Sequence, residues 1–311
     1  MEEIVREINQ LRKDKNAVIL AHNYQIGEIQ DLADYVGDSL GLSQQAAKTE
    51  KDLIVFCGVY FMAETASIIS PQKRVLIPRP DAGCSLASSI TAEQLIKWKE
   101  QFPDAVVVSY VNTTASIKAE SDYCVTSSNA VQIVNKIPVG KKILFLPDKF
   151  LGNYVEAMTG RKMEIWNGSC HVHEKIGDVN FEKARAEHPG ADFLIHPECG
   201  CSSSCMLKSK VYFDCKDVHI YSTEGMIDHV RDSDSKEFVI ATEVDILHRL
   251  RKLKPEATFF PLSENALCEY MKTINLENLR DALLYDKYEV KVPREIAERA
   301  IVPIERMLQI S

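Results

Sequence analysis

Three stretches of this chain repeat one order of signals, and the repeat limits its fold more than any single motif does. The runs AVILAH (17–22), AVVVSY (105–110) and ADFLIH (191–196) are apolar and strand-like, and they end at His22, Tyr110 and His196, spaced 88 and 86 residues apart. A serine station follows 17 positions later in the first two units, at Ser39 and Ser127, and 26 later in the third, at Ser222-Thr223. Third strands are expected at LIVFCG, ILFLPD and FVIATE, and fourth strands at VLIPRP, MEIWNG and TFFPLS. Each unit closes on a cysteine, at Cys84, Cys170 and Cys268, which lie 62, 60 and 72 residues beyond the first station. The surplus of the third unit falls on CGCSSSC, Cys199 to Cys205, which reads as an insertion.

A period this long exceeds that of solenoid repeats, so each unit is expected to be a small domain with its own sheet. Strands alternating with helical patterns make the chain α/β: three similar small α/β domains with parallel sheets. The expected boundaries are 1–84 with an N-terminal helix over Glu2–Asp14, 85–170, 171–268, and a helical tail over 269–311. In parallel α/β sheets, ligands bind beyond the carboxyl ends of the strands, where every station stands. If the three sheets face one axis, the stations converge on a central cavity. The alternative is a triplicated chain with a site in only one copy.

With 311 residues, 45% hydrophobic, the chain can bury a sizeable core. Its net charge of −8 gives no footprint for nucleic acid. The longest apolar run, Leu53 to Ala63, has 11 residues, too few to cross a bilayer, and MEEIVREINQ has no signal-peptide core, so a cytoplasmic protein without membrane contact is expected. Nine cysteines in a reducing compartment are not a disulfide framework. Cys57 and Cys124 lie within apolar runs and read as core.

Three thiolates suit an iron–sulfur cluster, and three can hold a four-iron cluster while leaving one iron open as a Lewis acid. Zinc is the rival metal, although structural zinc sites gather cysteines at CxxC spacing and these stand 86 and 98 residues apart. His22 and Tyr24 are two residues apart, and Tyr110 with Asn112 and His196 with Glu198 repeat that polar spacing. Such pairs can act as acid and base or bind an anion. Ser39, Ser127 and Ser222-Thr223 read as helix N-caps that as a trio can bind carboxylates or phosphate. His171 and His173 can orient the metal site from behind or cap a helix. No Walker or GxGxxG pattern implies a nucleotide. Cys199, Cys201 and Cys205, with Cys215 and Cys57 as possible neighbours, make no complete four-ligand set, so a second metal or redox role there stays open.

The segments AHNYQIGEIQDLADYVGDSL, VFCGVYFMAETASII, YVNTTASIKAESDYCVTSSNA, FLPDKFLGNYV, WNGSCHVHE, HPEC, YSTEGM and ALCEYM, running from residue 21 to 271, resemble the quinolinate synthase (NadA) family. That resemblance implies a pseudo-threefold arrangement of the three domains around a central active site. It implies a [4Fe–4S] cluster on Cys84, Cys170 and Cys268. It further implies condensation of iminoaspartate with dihydroxyacetone phosphate to quinolinate, phosphate and two waters, and a functional link to an aspartate-oxidising enzyme. Substrate contacts would fall on His22, Ser39, Tyr110, Asn112, Ser127, His196, Glu198 and the Ser222-Thr223 station, with Tyr24 in the place of a catalytic tyrosine. Glu198 would be the general base or acid, with Tyr24 and His22 partners in enolisation and ring closure. The last cysteine stands alone in ALCEYM where certain relatives carry CxxCxxC, so no thiol switch is expected there. Rival readings are another three-cysteine dehydratase, or a non-catalytic thiol or metal sensor built on CGCSSSC.

Overall fold

The structure is a computed structural model that describes residues 2–202 and 217–310. Cys205 and Cys215 lie outside the described residues. In the first unit β1 (Ala17–His22), β2 (Tyr35–Gly37), β3 (Leu53–Cys57) and β4 (Arg74–Leu76) pair in the order β2-β1-β3-β4. The second unit repeats that order as β6-β5-β7-β8, built from β5 (Val106–Tyr110), β6 (Tyr123–Val125), β7 (Ile143–Leu146) and β8 (Glu164–Ile165). The third does so again as β10-β9-β11-β12, from β9 (Asp192–Ile195), β10 (Val218–Ile220), β11 (Glu237–Ala241) and β12 (Thr258–Pro261). Every pairing within the three sheets is parallel.

Central strands of such sheets are covered on both faces, which is why their sequences are unbroken apolar runs rather than alternating ones. All six residues of β1 and all five of β3 are buried. One apolar core runs through all three units, holding Ile19 and Phe56, Phe145, and Phe238 together.

The pairing register aligns the units residue by residue. His22 pairs with Gly37 and Tyr110 with Val125, whereas β9 ends at Ile195 opposite Ile220, so His196 stands one residue past its strand and opposite Tyr221. Two residues beyond those partners lie Ser39, Ser127 and Thr223. The third-unit equivalent of the serines is therefore Thr223, and Ser222 matches Asp38 and Thr126.

The terminal segments bind the units together. The helix Glu2–Asp14 packs on the helix Leu276–Tyr285, and the helix Arg294–Leu308 packs on β6 and on the helices Ala115–Lys118 and Tyr60–Ile69. Asn129 of the second unit donates to the carbonyls of Met307 and Ile310 at 3.1 and 2.8 Å, satisfying orphan groups at the end of that last helix. Among the described residues, no helix is long and apolar enough to cross a membrane.

Candidate active site

Each cysteine opens a short helical turn of the same design. The Ser88, Glu174 and Lys272 amides donate to the carbonyls of Cys84, Cys170 and Cys268 at 3.0, 2.9 and 3.2 Å, starting turns that continue at Ala87–Ser89, His173–Lys175 and Met271–Thr273. The amides two and three residues on then face the sulfur: Leu86 and Ala87 for Cys84, Val172 and His173 for Cys170, Tyr270 and Met271 for Cys268. The Ala87 amide is 3.5 Å from Cys84 Sγ. Burial pushes all three thiols up, Cys84 to about 12, while those amides pull each back towards the thiolate. Cys84 is further raised by Cys268, and Cys170 by Glu198 and Cys84, so the three sulfurs share one electrostatic neighbourhood. Three half-buried thiols at one cavity, each aimed at by amide dipoles, are a donor set that fits a soft metal centre, whose positive charge removes the cost of ionising them.

The cysteines line one cavity with His22, Tyr24, Ser39, Tyr110, Asn112, Ser127, His196, Glu198 and Thr223. Ser222 is not in that lining. Its hydroxyl instead caps the helix Thr223–Asp232, accepting from the Gly225 amide at 3.2 Å. The N-cap reading fails for the other two serines. Asp38 caps the helix Ser39–Lys48, of which Ser39 is the first residue, and Ser127 lies in the turn ahead of the helix Ala130–Lys136. Those two hydroxyls are thus not consumed by capping.

Histidine orientation is set by the backbone. His22 Nδ1 accepts from the Tyr24 amide at 3.1 Å, and His196 Nδ1 accepts from the Glu198 amide at 3.4 Å. Burial lowers His22 to about 3 and His196 well below the usual imidazole range. Both rings are therefore neutral with the proton on Nε2, which makes Nε2–H a donor; that of His196 reaches Ser127 Oγ at 3.2 Å. The same i to i+2 spacing that marked these pairs in sequence is the bond that fixes their tautomers.

Glu198 is buried, and burial raises its carboxyl to about 7 even though the Tyr110 hydroxyl donates to it and pulls the other way. Tyr24 Oη lies 2.5 Å from Thr242 Oγ1, which lies 3.0 Å from His173 Nε2. His173 Nδ1 is 3.6 Å from Glu198 Oε2 and has no hydrogen-bond partner. The hydrogen-bonded chain therefore runs from Tyr24 through Thr242 to His173 and stops short of Glu198. Burial raises Tyr24 well above its ordinary value, so it enters chemistry as a neutral phenol. Asn112 Oδ1 is buried without a partner at the cavity.

Several participants escaped the sequence reading. Asp148 and Glu243 stand two residues beyond β7 and β11, and the register puts Val59 at that place in unit one. Glu243 is buried, accepts from the Cys268 amide at 3.2 Å and pairs with Lys272 Nζ at 2.7 Å; the same ammonium donates to the Tyr24 carbonyl at 2.5 Å. Buried Lys118 donates to the carbonyls of Val111 and Thr113, which flank Asn112. A signal for the carboxylates existed, since ILFLPD and FVIATE both end in one, but the apolar residue in unit one broke the pattern. Cys57, Cys124, Cys199 and Cys201 are all buried, and Cys199 Sγ donates to the Ala241 carbonyl at 3.1 Å.

Fold and site define a class: a triplicated α/β protein whose central cavity gathers three thiols able to hold a metal and the polar groups of acid–base chemistry. The family model described as "Quinolinate synthetase A protein" matches residues 6–309. The chain is 48% identical over 309 residues to the quinolinate synthase of Thermus thermophilus, covering 99% of this chain and 98% of that one. It is 49% identical to that of Pyrobaculum aerophilum, covering 97% and 98%, and 52% identical to that of a Mycobacterium species, covering 99% and 92%. The chain belongs to the quinolinate synthase family. Membership makes it an enzyme of NAD biosynthesis.

Proposed function

We propose that this chain condenses iminoaspartate with dihydroxyacetone phosphate, releasing quinolinate, phosphate and two waters. The observation that carries the reading is the meeting of three cysteine turns and three sets of polar stations in one cavity. Cys84, Cys170 and Cys268 would hold a [4Fe–4S] cluster. When bound, it supplies one iron without a protein ligand, a Lewis acid for a substrate oxygen.

The chain's own groups supply the rest. Neutral His22 and His196 donate from Nε2 to carboxylates of iminoaspartate, and the hydroxyls of Ser39, Ser127 and Thr223 receive the remaining carboxylate and phosphate oxygens. A neutral donor binds an anion without trapping it as an ion pair, which suits an intermediate that must change shape. Glu198, poised near neutrality, takes a proton from carbon next to a carbonyl or imine and returns it to a hydroxyl that departs as water. Tyr24, held by Thr242, faces the same cavity as a neutral hydroxyl donor for the substrate. Asn112 Oδ1 is free to accept from the substrate's nitrogen or hydroxyl hydrogen.

The division into domains at 1–84, 85–170 and 171–268, a cytoplasmic location where thiols stay reduced, and supply of labile iminoaspartate by an aspartate-oxidising enzyme belong to the same proposal. Anaerobic protein reconstituted with iron and sulfide is expected to form quinolinate only when both substrates are present. Dehydration of a hydroxy acid without the triose phosphate would favour the rival dehydratase, and absence of any turnover by cluster-loaded protein would refute the proposed condensation.

A further inference from the structure

We infer that Asp192, His219 and His229 form a separate site for a divalent transition-metal ion, outside the cysteine-lined cavity and built on β9 and β10 of the third sheet. One ligand atom from each residue lies within 4.8 Å of the others. The three come from different elements: Asp192 is the first residue of β9, His219 the middle of β10, and His229 sits in the helix Thr223–Asp232. The distance from His229 Nε2 to Asp192 Oδ2 is 2.9 Å, and the two imidazole centroids are 4.3 Å apart.

The surroundings suit a cation. Ser233 Oγ donates to Asp192 Oδ2 at 3.0 Å, the kind of outer support that orients a ligating carboxylate. His219 is kept from protonating chiefly by burial, then by His229, while Asp192 and Asp217 pull the other way. Tyr221 stacks on His219 at an interplanar angle of 5° and fixes its ring plane. The His229 and Asp192 side chains are 18% and 19% exposed, so an ion can enter and water can complete its shell. Two imidazoles and one carboxylate with open positions favour zinc or a neighbouring first-row ion over magnesium or calcium. An ion there would tie the edge strand β10 to the helix whose first residue, Thr223, lines the active cavity, without belonging to that cavity itself.

Zinc is the probe. Cluster-loaded full-length protein, stripped of loose metal and dialysed against zinc, is expected to carry one zinc per chain beyond its iron, and His219→Ala and His229→Ala should each lower zinc affinity at least tenfold with iron content and quinolinate formation unchanged. No zinc above the iron, or equal zinc in wild type and variants, overturns the site. Zinc-edge X-ray absorption of the wild type needs no variant to fold: nitrogen and oxygen neighbours at about 2.0–2.2 Å are expected, and a sulfur shell at about 2.3 Å would assign the ion to cysteines and sink the inference. Because iron and turnover are measured alongside, failure here is distinguishable from failure of the proposed condensation.

Discussion

Tyr110 gives its hydroxyl hydrogen to Glu198, and this bond favours the ionised carboxylate against the burial that opposes it. Removing it in Tyr110→Phe should therefore raise Glu198 above about 7. The acid limb of the kcat/KM profile should move to higher pH by about one unit, the size expected for a lost charge-assisted hydrogen bond. A profile that stays in place would remove Glu198 from the titrating role. Glu198→Gln keeps the shape of the side chain but cannot carry the proton. Its turnover should drop by about 100-fold or more while the cluster's visible spectrum is retained, and near-normal turnover would refute the assignment. At this scale the sequence was informative because polar residues at strand ends point where ligands bind. It left Ser222 and Thr223 together as one station, since a cap and its neighbour differ by one residue and only the strand register separates them.

The cysteine turn is the element that recurs, and it is set by close backbone contact as well as by the cysteine. Gly168, two residues before Cys170, donates to the Pro147 carbonyl at 3.1 Å, and the Lys149 amide donates to the Gly168 carbonyl at 2.8 Å. A Cβ there would lie 2.4 Å from the Pro147 oxygen and 2.5 Å from Ser89 Oγ. Gly168→Ala should cost about 1–3 kcal/mol by overpacking and displace the turn. Chemical denaturation should show the loss, and reconstituted iron per chain should fall; unchanged values for both would mean that the turn is not held by this contact. WNGSC marked the position of the cysteine, but the need for a bare Cα depends on Pro147, 21 residues earlier, which spacing alone does not reveal.

Across the whole molecule the three units are joined by bonds that no unit makes alone. Lys272 follows the third unit's cysteine, pairs with buried Glu243 and Asp245, and donates to the Tyr24 carbonyl of the first unit. Arg249 of the third unit likewise donates to Asn23 Oδ1 of the first at 2.8 Å and pairs with Glu224. Lys272→Met would leave the Glu243 carboxylate buried without its cation, at a cost of about 3 kcal/mol. The midpoint of denaturation should fall and the cluster should be lost more readily to chelators; full stability would show that docking of these units does not depend on the pair. The terminal helix Arg294–Leu308 serves a similar purpose between the first and second units, so the tail works as a clasp and not as an appendage.

The sequence by itself determined the three-unit α/β plan, the parallel strands, the cysteine that closes each unit and the histidine or tyrosine at the end of each first strand. Those features are local: apolar run, turn and polar end follow one another along the chain, and the repeat displays them three times. Tertiary structure decided what happens between units and between strands. It chose Thr223 over Ser222, brought Glu198 under Tyr110, set Lys272 between Glu243 and Tyr24, and gathered Asp192, His219 and His229 at one edge. These contacts join residues 10 to 248 positions apart. Only strand register and domain docking, driven by burial of a shared apolar core, fix which of them meet.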